Sequence, residues 1–494
     1  MSWPLALLVA VPVIVGLACL LIRQRRAIEV LHCVQAGAML AATVLVIEQL
    51  VANGQVSVGI VLKADALSVW FDLILGVVGS TGTLYAVAYM GEEMDRAHLS
   101  LRRYGQFFCL FDLYLAVMLL AVNLDNVATM WIAIEGSTLA AALMMSFDRS
   151  KASLEAGWKF IILSSVGISL ALFGTILMYY SSEHLLGISS DALLWSKLYK
   201  SAEGLDPAAI KVAFIFLLVG YGTKAGFAPM HTWLPDAHAE APAPVSAMLS
   251  ANMLTLAVYA ILRFQAVMNR AVGPDFSATL IIGFALLSLA ISATFILIQR
   301  DYKRLFAYSS MEHMGIALLG FGIGGLGVFA GAWHLMNHAL AKATAFYGAG
   351  LVYLQYNHRS IDRVRGLLGQ IPVAGVAILL AGITLAGMPP FGLFISEILI
   401  ASETYHSRPE LAYVFLALLA LAFATLLFQI LRMVLGSPVE AGTALGKQCR
   451  IFASAAVGIN IVLLGVLGLH IPPELTTLLK AIQEIFNVGM EASP

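Results

Sequence analysis

Ionisable residues stand inside long apolar segments of this chain, and the clearest case is Lys224. It lies in the stretch 220–240, which directly follows the apolar residues 212–219. Within this stretch, Pro229 and Pro235 come after Lys224. A proline inside a helix removes a backbone hydrogen bond and clashes with the preceding turn, so a helix through this stretch must break. Inserting a lysine at the centre of a membrane costs at least ~2.5 kcal/mol. The stretch predicts an ionisable group in a proton or ion path; the alternative is a lysine that reaches the membrane surface from a helix end.

A second break is predicted where Gly387-Met-Pro-Pro-Phe-Gly392 interrupts an apolar segment just before Glu397. At a similar distance before each break-region residue, Lys224 and Glu397, a glutamate stands inside an apolar segment. Glu135 comes 89 residues before Lys224. Glu312 comes 85 residues before Glu397. Two broken helices at matching positions are typical of an inverted repeat whose function lies at the membrane midplane.

Three titratable residues at intervals of four, His334, His338 and Lys342, lie on one face of a predicted helix. Such histidines suit a metal or haem, or hydrogen bonds to neighbouring helices. A lysine on the same face would repel a cation, and no third ligand stands at a recognisable spacing. Imidazole titrates near neutral pH and a desolvated lysine shifts readily, so the pattern favours a proton relay. His313, beside Glu312, and His231, in the first break, are secondary candidates.

Composition indicates a membrane protein. Of the 494 residues, 60% are hydrophobic and 12% are charged, against about 25% charged in a soluble domain. The mean hydropathy is +0.88. The net charge of −1 argues against nucleic acid as a partner. Four scattered cysteines without a Cys-x-x-Cys motif predict no zinc or iron–sulfur site, and no nucleotide or catalytic motif is present, so no cofactor or metal is expected in this chain.

Fourteen apolar segments are each long enough to cross ~30 Å of hydrocarbon, which predicts an all-α polytopic fold. They span residues 3–22, 28–51, 65–90, 105–121, 124–146, 158–180, 210–228 (broken, continuing to 240), 243–267, 277–299, 305–326, 328–356, 371–406 (broken), 410–435 and 451–470. A short surface helix is predicted over 472–490.

The predicted domains follow the repeat. Residues 1–104 form three N-terminal helices, 105–270 and 271–440 form two inverted five-helix repeats with one broken helix each, and 441–494 form the last span and an amphipathic end. Connections on one side carry 18 Lys and Arg residues against 8 on the other. Because cytoplasmic loops are rich in Lys and Arg, both termini are predicted on the outer side of a bacterial or archaeal cytoplasmic membrane.

Four segments, 224–263, 300–315, 334–353 and 387–398, together resemble the antiporter-like membrane subunit shared by respiratory complex I, membrane-bound hydrogenases and multisubunit Na⁺/H⁺ antiporters. Three motifs resemble most the F component of the hydrogenase-4 (formate hydrogenlyase) group. They are Gly220-Tyr-Gly-Thr-Lys224, Tyr308-Ser-Ser-Met-Glu-His-Met-Gly315 and Met388-Pro-Pro-Phe-Gly-Leu-Phe-Ile-Ser-Glu397. The resemblance implies two inverted repeats and an ion-translocating subunit without a redox centre of its own.

The resemblance also implies roles for single residues. Glu135 and Lys224 match the glutamate–lysine pair of the first half-channel, and Glu397 matches the terminal exit group. The face formed by His334, His338 and Lys342 matches the central connection. One departure concerns segment 243–267, where many relatives carry a lysine or histidine that joins the halves. Here Ser250-Ala-Asn-Met-Leu-Thr255 offers only hydroxyl and amide groups.

Several functions are compatible with these residues. The leading hypothesis is a proton- or Na⁺-translocating subunit of a redox complex, with other membrane subunits and a peripheral, [NiFe]-hydrogenase-like arm with iron–sulfur subunits as partners. The alternatives are a complex I subunit of NADH:quinone oxidoreductase, a subunit of a multisubunit Na⁺/H⁺ antiporter, or a stand-alone transporter. A passive scaffold conflicts with so many ionisable groups at membrane depth, and a quinone-reducing enzyme lacks a cofactor motif.

Overall fold

The fold was analysed in a computed structural model that describes residues 2–59, 61–187, 190–437 and 442–486. The described residues form twenty α-helices, whose bounds are α1 (Trp3–Cys19), α2 (Arg25–Asn53), α3 (Ala66–Asp95), α4 (Leu101–Asn123), α5 (Val127–Met145), α6 (Lys151–Leu186), α7 (Trp195–Lys200), α8 (Pro207–Ala225), α9 (Trp233–Glu240), α10 (Ala243–Met248), α11 (Leu254–Val272), α12 (Pro274–Ile298), α13 (Tyr302–Ile323), α14 (Leu326–Tyr356), α15 (Leu367–Gln370), α16 (Pro372–Leu385), α17 (Gly392–Ser407), α18 (Pro409–Val434), α19 (Lys447–Leu469) and α20 (Pro473–Phe486).

Within the described chain, ten helices are long and apolar enough to cross a membrane by length and composition. They are α2 to α6, α8, the continuous α10–α11 unit, α12, α18 and α19. The shorter helices α1 and α16 are also apolar. Helices α13 and α14 fall outside the ten, and these are the helices that carry Glu312, His334, His338 and Lys342. The polytopic helical fold is therefore confirmed, whereas the count of fourteen spans stays a prediction.

The first predicted break is present between α8 and α9. Helix α8 ends at Ala225, and Gly226 follows with φ +76°, a left-handed conformation that glycine adopts without steric cost. Two contacts satisfy backbone groups that the break frees. The indole of Trp233 donates to the Thr223 carbonyl at 2.9 Å, and the Ala228 amide donates to the Ser288 hydroxyl at 3.0 Å. The irregular backbone is thus held by protein, as membrane depth requires.

The second predicted break lies between α16 and α17. Helix α16 ends at Leu385, Gly387 takes φ +64°, and α17 begins at Gly392. Both broken helices thus occur where the sequence places them, one in each predicted repeat. The division at residue 440 lies outside the described residues, and the domain boundaries stay predictions. Helix α20 covers 473–486 of the predicted surface helix, whose residues 487–490 are not described.

Helix α14 occupies the middle of the second half and packs against α13, α16, α17 and α19, as well as against α3 and α10. From residue 330 to 352 every side chain on it is buried, so its polar groups face protein on all sides. The all-α expectation omitted one element. Residues Val56–Val58 and Leu62–Ala64 form an antiparallel two-stranded hairpin between α2 and α3, with Val56 opposite Ala64.

Candidate functional site

The structure brings Lys224 and Glu135 together through a third residue, Thr138. Lys224 lies in the last turn of α8 and is fully buried. Its ammonium donates to the Thr138 hydroxyl at 2.5 Å, and that hydroxyl donates to the Glu135 carboxylate at 3.1 Å. Thr138 follows Glu135 by three positions on α5, which places both on one helix face. The expected pair therefore exists as a charge–hydroxyl–charge chain.

Glu135 lies at the edge of the molecule, unlike its partner. Its side chain is half-buried, and Ile132 and Leu139 on the same helix are exposed. Ser165 of α6 donates to the second carboxylate oxygen at 3.5 Å. One carboxylate oxygen thus accepts a hydrogen bond from Thr138 and the other accepts one from Ser165. A group that approaches this edge of the molecule can therefore change the surroundings of the Glu135 carboxylate.

The second half contains a continuous chain of polar side chains centred on His313. Its Nε2 lies 3.0 Å from the Leu385 carbonyl, so this nitrogen carries a proton and donates it. Its Nδ1 lies 3.1 Å from Nε2 of His334, whose Nδ1 lies 2.9 Å from the Ser396 hydroxyl. Leu385 is the last residue of α16. A carbonyl freed by the second break is therefore satisfied by a titratable side chain.

The proton positions in this chain follow from its fixed end at Leu385. Neutral His313 carries its proton on Nε2, so its Nδ1 accepts and Nε2 of His334 is the donor between the two rings. Nδ1 of His334 then accepts from the Ser396 hydroxyl, which also lies 2.8 Å from the Leu393 carbonyl. The opposite tautomer of His334 would place two unprotonated nitrogens against each other, so it requires a second proton on His313.

Glu397 lies beside the break and the histidines, as expected. It is 4% exposed, and its Oε1 has no hydrogen-bond partner among the described residues. Its carboxylate packs so closely on Gly387 that a Cβ there would lie 2.0 Å from Oε2. One ligand-type atom from each of His313, His334 and Glu397 lies within 4.8 Å of the others. Such a group also suits a metal ion, and the absence of a metal stays a prediction.

Lys342 and His338 complete the polar face of α14 but in different ways. The ammonium of Lys342 donates to the Phe306 carbonyl at 2.9 Å and interacts electrostatically with Glu312. The His338 ring lies beside that of His313, with the ring centroids 5.3 Å apart and the planes tilted by 39°. Within the described chain, neither ring nitrogen of His338 has a hydrogen-bond partner, and Oε2 of Glu312 has none either. These buried atoms require water, because an unpaired buried polar group is costly.

The segment without a titratable residue contributes hydroxyl groups at a distorted turn. Residues Leu249–Met253 form a π-helical turn between α10 and α11, a feature that often marks functional sites. There the Ser250 hydroxyl lies 2.7 Å from the Ser310 hydroxyl. Ser310 donates to the Phe306 carbonyl at 2.9 Å, the same carbonyl that Lys342 binds. Ser250 thus connects to Lys342 through one serine and one carbonyl.

The sequence reasoning missed His238, although it lies in the stretch 220–240. His238 is fully buried on α9, its Nδ1 donates to the Leu234 carbonyl at 2.8 Å, and its Nε2 has no partner in the described structure. Both Lys342 and Lys303 act on it electrostatically. Lys303 donates to the Ala241 carbonyl at 2.7 Å. The available signal was its position seven residues after His231, which the sequence already marked as a secondary candidate.

His231, the other secondary candidate, lies apart from these chains. It is 9% exposed within the first break, and its nearest ring contacts are Tyr308 and Phe295 at 6.2 and 6.5 Å. Its Nδ1 has no hydrogen-bond partner in the part of the chain that the structure describes. The structure therefore connects Glu135 to Lys224 and brings His313, His334 and Glu397 together, with the His338 ring beside His313. His231 lies outside both groups.

Comparisons with known proteins agree with this architecture. The chain is 39% identical over 375 residues to a hydrogenase-4 component F homolog of Methylacidiphilum infernorum, covering 76% of this chain and 79% of the relative. It is 27% identical to hydrogenase-4 component B of Escherichia coli, covering 68% of this chain and 50% of that protein. The chain therefore spans only half the length of component B.

Solved structures share the fold. A chain of the Mrp complex from Dietzia sp. matches with a TM-score of 0.83 at 21% identity, covering 99% of this chain and 98% of that one. A chain of an archaeal membrane-bound sulfane sulfur reductase also gives 0.83 at 21% identity, covering 98% and 97%. A chain of respiratory complex I from Thermus thermophilus gives 0.80 at 22% identity, covering 98% and 99%.

The sequence profile of one family covers more than half of the chain. It matches residues 125–424, which run from the start of α5 into α18 and include both broken helices. This range contains every candidate residue described above. The chain belongs to the NADH:quinone oxidoreductase/Mrp antiporter family of transmembrane subunits.

Proposed function

We propose that this chain translocates protons or Na⁺ as the antiporter-like membrane subunit of an energy-converting redox complex of the hydrogenase-4 or formate hydrogenlyase type. The observation that carries the proposal is a fully buried Lys224 at a helix break, one hydroxyl away from Glu135. A buried ammonium with a switchable counter-charge responds strongly to any change in that counter-charge, because removing one partner of a buried pair costs ~3–5 kcal/mol.

The proposed path runs between the two breaks. It begins at Glu135 and Lys224, passes the Ser250–Ser310 hydroxyls, and continues from Lys342 through the histidines to Glu397. In our proposal water carries the proton from Ser310 to Lys342, because the Phe306 carbonyl that both residues bind can only accept hydrogen bonds. Water bridges the interval between Lys224 and Ser250, where no described side-chain contact joins them. The serine link takes the place of the lysine or histidine that the resemblance leads one to expect in this segment.

A polar cavity gives this path access to one membrane surface. It has a volume of about 740 Å³ and lies where α3 and α14 end and α4 begins. Its lining includes Glu93, Asp148 and Tyr353. Lys303 lies over the Tyr353 ring at 5.8 Å, and His238 is acted on by both Lys303 and Lys342. In our proposal Lys303 and His238 connect the cavity to Lys342.

The cavity lies on the side where the Lys- and Arg-rich connections are found, so we assign it to the cytoplasmic side. Both termini are then on the outer side of a bacterial or archaeal cytoplasmic membrane. Glu397, in the second break, provides the exit toward the opposite side. This direction follows from the charge of the connections and from the placement of the cavity near Arg96 and Arg103.

The driving partner, in our proposal, is a peripheral [NiFe]-hydrogenase-like arm with iron–sulfur subunits, joined through further membrane subunits. The relative with 39% identity, a hydrogenase-4 component F homolog, supports this choice over the alternatives. A subunit of complex I or of a multisubunit Na⁺/H⁺ antiporter has the same fold, and relatives named for both match at 31% and 28% identity.

Purification of the intact complex under mild detergent conditions tests the proposal. The full chain is tagged at low expression level, and co-purifying subunits are identified by mass spectrometry, with an untagged strain as the control. Stoichiometric hydrogenase-like and iron–sulfur subunits are the expected result. Subunits that bind NADH, or antiporter subunits without any redox protein, would instead assign the chain to one of the two alternative complexes.

A further inference from the structure

Three side chains from three different helices meet in the N-terminal part of the chain, outside the range that the family profile matches. They are Cys19 at the end of α1, His32 on α2 and Asp112 on α4, and each is at most 1% exposed. The Cys19 sulfur lies 4.0 Å from Nε2 of His32, which lies 3.0 Å from Oδ2 of Asp112. One ligand atom from each residue lies within 4.8 Å of the other two.

Neighbouring groups orient two of these side chains. Nδ1 of His32 lies 2.7 Å from the Ile28 carbonyl, so this nitrogen carries a proton and Nε2 faces the cluster. The Gln35 amide donates to Oδ1 of Asp112 at 2.8 Å, which leaves Oδ2 for the cluster. The Gln35 carbonyl oxygen is buried and has no hydrogen-bond partner in the described chain. Such outer contacts are typical of metal-binding histidines and carboxylates.

The protons of the cluster can be counted. The Ile28 carbonyl cannot donate, so the short contact between His32 Nε2 and Asp112 Oδ2 needs one proton on one of the two atoms. The Cys19 thiol holds a second. A divalent ion that displaces both protons leaves the net charge of the site unchanged. This balance matters in a membrane, where an uncompensated buried charge is very costly.

We propose that Cys19, His32 and Asp112 bind one Zn²⁺ ion that fastens α1, α2 and α4 together. Sulfur, imidazole and carboxylate are the ligands that zinc takes in proteins. Atoms bound to the same zinc at ~2.0 and ~2.3 Å lie less than ~4.3 Å apart, and the 4.0 and 3.0 Å separations here meet that limit. A fourth position is open to the Gln35 carbonyl oxygen or to water.

The ion has a route to this site. Cys19 also lines a cavity of about 550 Å³ that is open beside the α1–α2 connection, together with Leu101 and Gln106. Sequence reasoning predicted no cysteine-based site because the chain has no Cys-x-x-Cys motif. A motif within one segment cannot reveal ligands that come from three helices. Cys19 and His32 are 13 residues apart, and His32 and Asp112 are 80 apart.

Metal analysis of the full-length protein tests the proposal. The tag is removed, the purified protein is equilibrated with Zn²⁺, and bound metal per chain is measured by mass spectrometry. Co²⁺ is then substituted, because a thiolate–cobalt bond produces a charge-transfer band in the near-ultraviolet. One Zn²⁺ per chain and a cobalt–thiolate band are expected. A wild-type protein that binds less than a tenth of an equivalent would overturn the proposal, whatever the variants do.

Variants assign the ligands. Cys19→Ser keeps the size of the side chain and should abolish the cobalt–thiolate band, and Asp112→Asn should lower zinc affinity at least tenfold. Gln35→Leu should lower it about tenfold as an outer contact. Cys33→Ala, which removes the half-buried neighbour of His32, and Cys449→Ala, a buried thiol elsewhere, are matched controls that keep the band. A band that survives in Cys19→Ser and disappears in Cys33→Ala would contradict the assignment.

Discussion

The two broken helices carry different chemistry despite their matching positions. At the first break, one ammonium and one carboxylate are separated by the hydroxyl of Thr138, and the carboxylate lies near the edge of the molecule. At the second, His313, His334 and Glu397 are buried, and one nitrogen or oxygen atom from each lies within 4.8 Å of the other two. The first arrangement suits a charge pair that a neighbour can open or close. The second suits repeated proton exchange between nearby groups.

The largest effect is expected where a single charge carries the first break. Lys224→Met removes the ammonium, so Glu135 loses its counter-charge and coupled ion translocation should fall to background. The protein should still insert and assemble, because methionine fits the volume of the lysine stem. Translocation is measured with a pH- or Na⁺-sensitive dye in sealed vesicles that contain the intact complex. Lys211→Met, at the exposed start of the same helix, is the control, and full pumping by Lys224→Met would remove the first break from the path.

A similarly large loss is expected at the second break. Glu397→Gln keeps the shape of the side chain but cannot release a proton, so translocation should drop to a few per cent of wild type. Glu403→Gln, less than two turns further along α17, should leave the rate unchanged. If the Glu397→Gln protein pumps normally, the exit lies elsewhere, with Glu312 and His313 as the next candidates.

An intermediate effect is expected between the cavity and the second break. His238→Gln retains a polar side chain but no longer titrates, so proton supply to Lys342 should slow by about tenfold while the complex remains intact. The rate of translocation at saturating electron donor is the measurement. The control is His184→Gln, at an exposed residue near the end of α6. Equal rates for both variants would rule out His238 as the link.

The smallest of these effects concerns the hydroxyl between Lys224 and Glu135. Thr138→Val leaves both charges in place but removes their bridge, whose net contribution of about 1 kcal/mol corresponds to a loss of roughly fivefold in rate. Thr138→Ser restores the hydroxyl and should restore most of the rate. Equal rates in the valine and serine variants would show that the pair acts without the bridge.

Sequence alone predicted those features that depend on local pattern. Proline and glycine located both breaks, and spacing of four placed His334, His338 and Lys342 on one helix face. Similar intervals from Glu135 to Lys224 and from Glu312 to Glu397 pointed to the carboxylates. The polytopic fold and the family followed as well. His313, a secondary candidate in the sequence, lies at the centre of the second group, where it contacts both His334 and the Leu385 carbonyl.

The features that sequence reasoning missed arise from packing between distant segments. The Thr138 bridge joins residues 86 positions apart, and the Ser250–Ser310 contact joins residues 60 apart. Threonine and serine are also frequent in helices without any role, so neither residue stands out in a pattern. His238 escaped for a related reason: only folding brings it under the electrostatic influence of both Lys303 and Lys342.

The central claim is that one buried path joins the two breaks through Lys342. The most direct test is the number of ions moved per electron transferred by the intact complex in sealed vesicles, compared between wild type and Lys342→Met, with the surface variant Lys159→Met as the control. The account predicts that this ratio falls in Lys342→Met by the full contribution of this subunit, while Lys159→Met keeps the wild-type value. An unchanged ratio in Lys342→Met would contradict a path through α14.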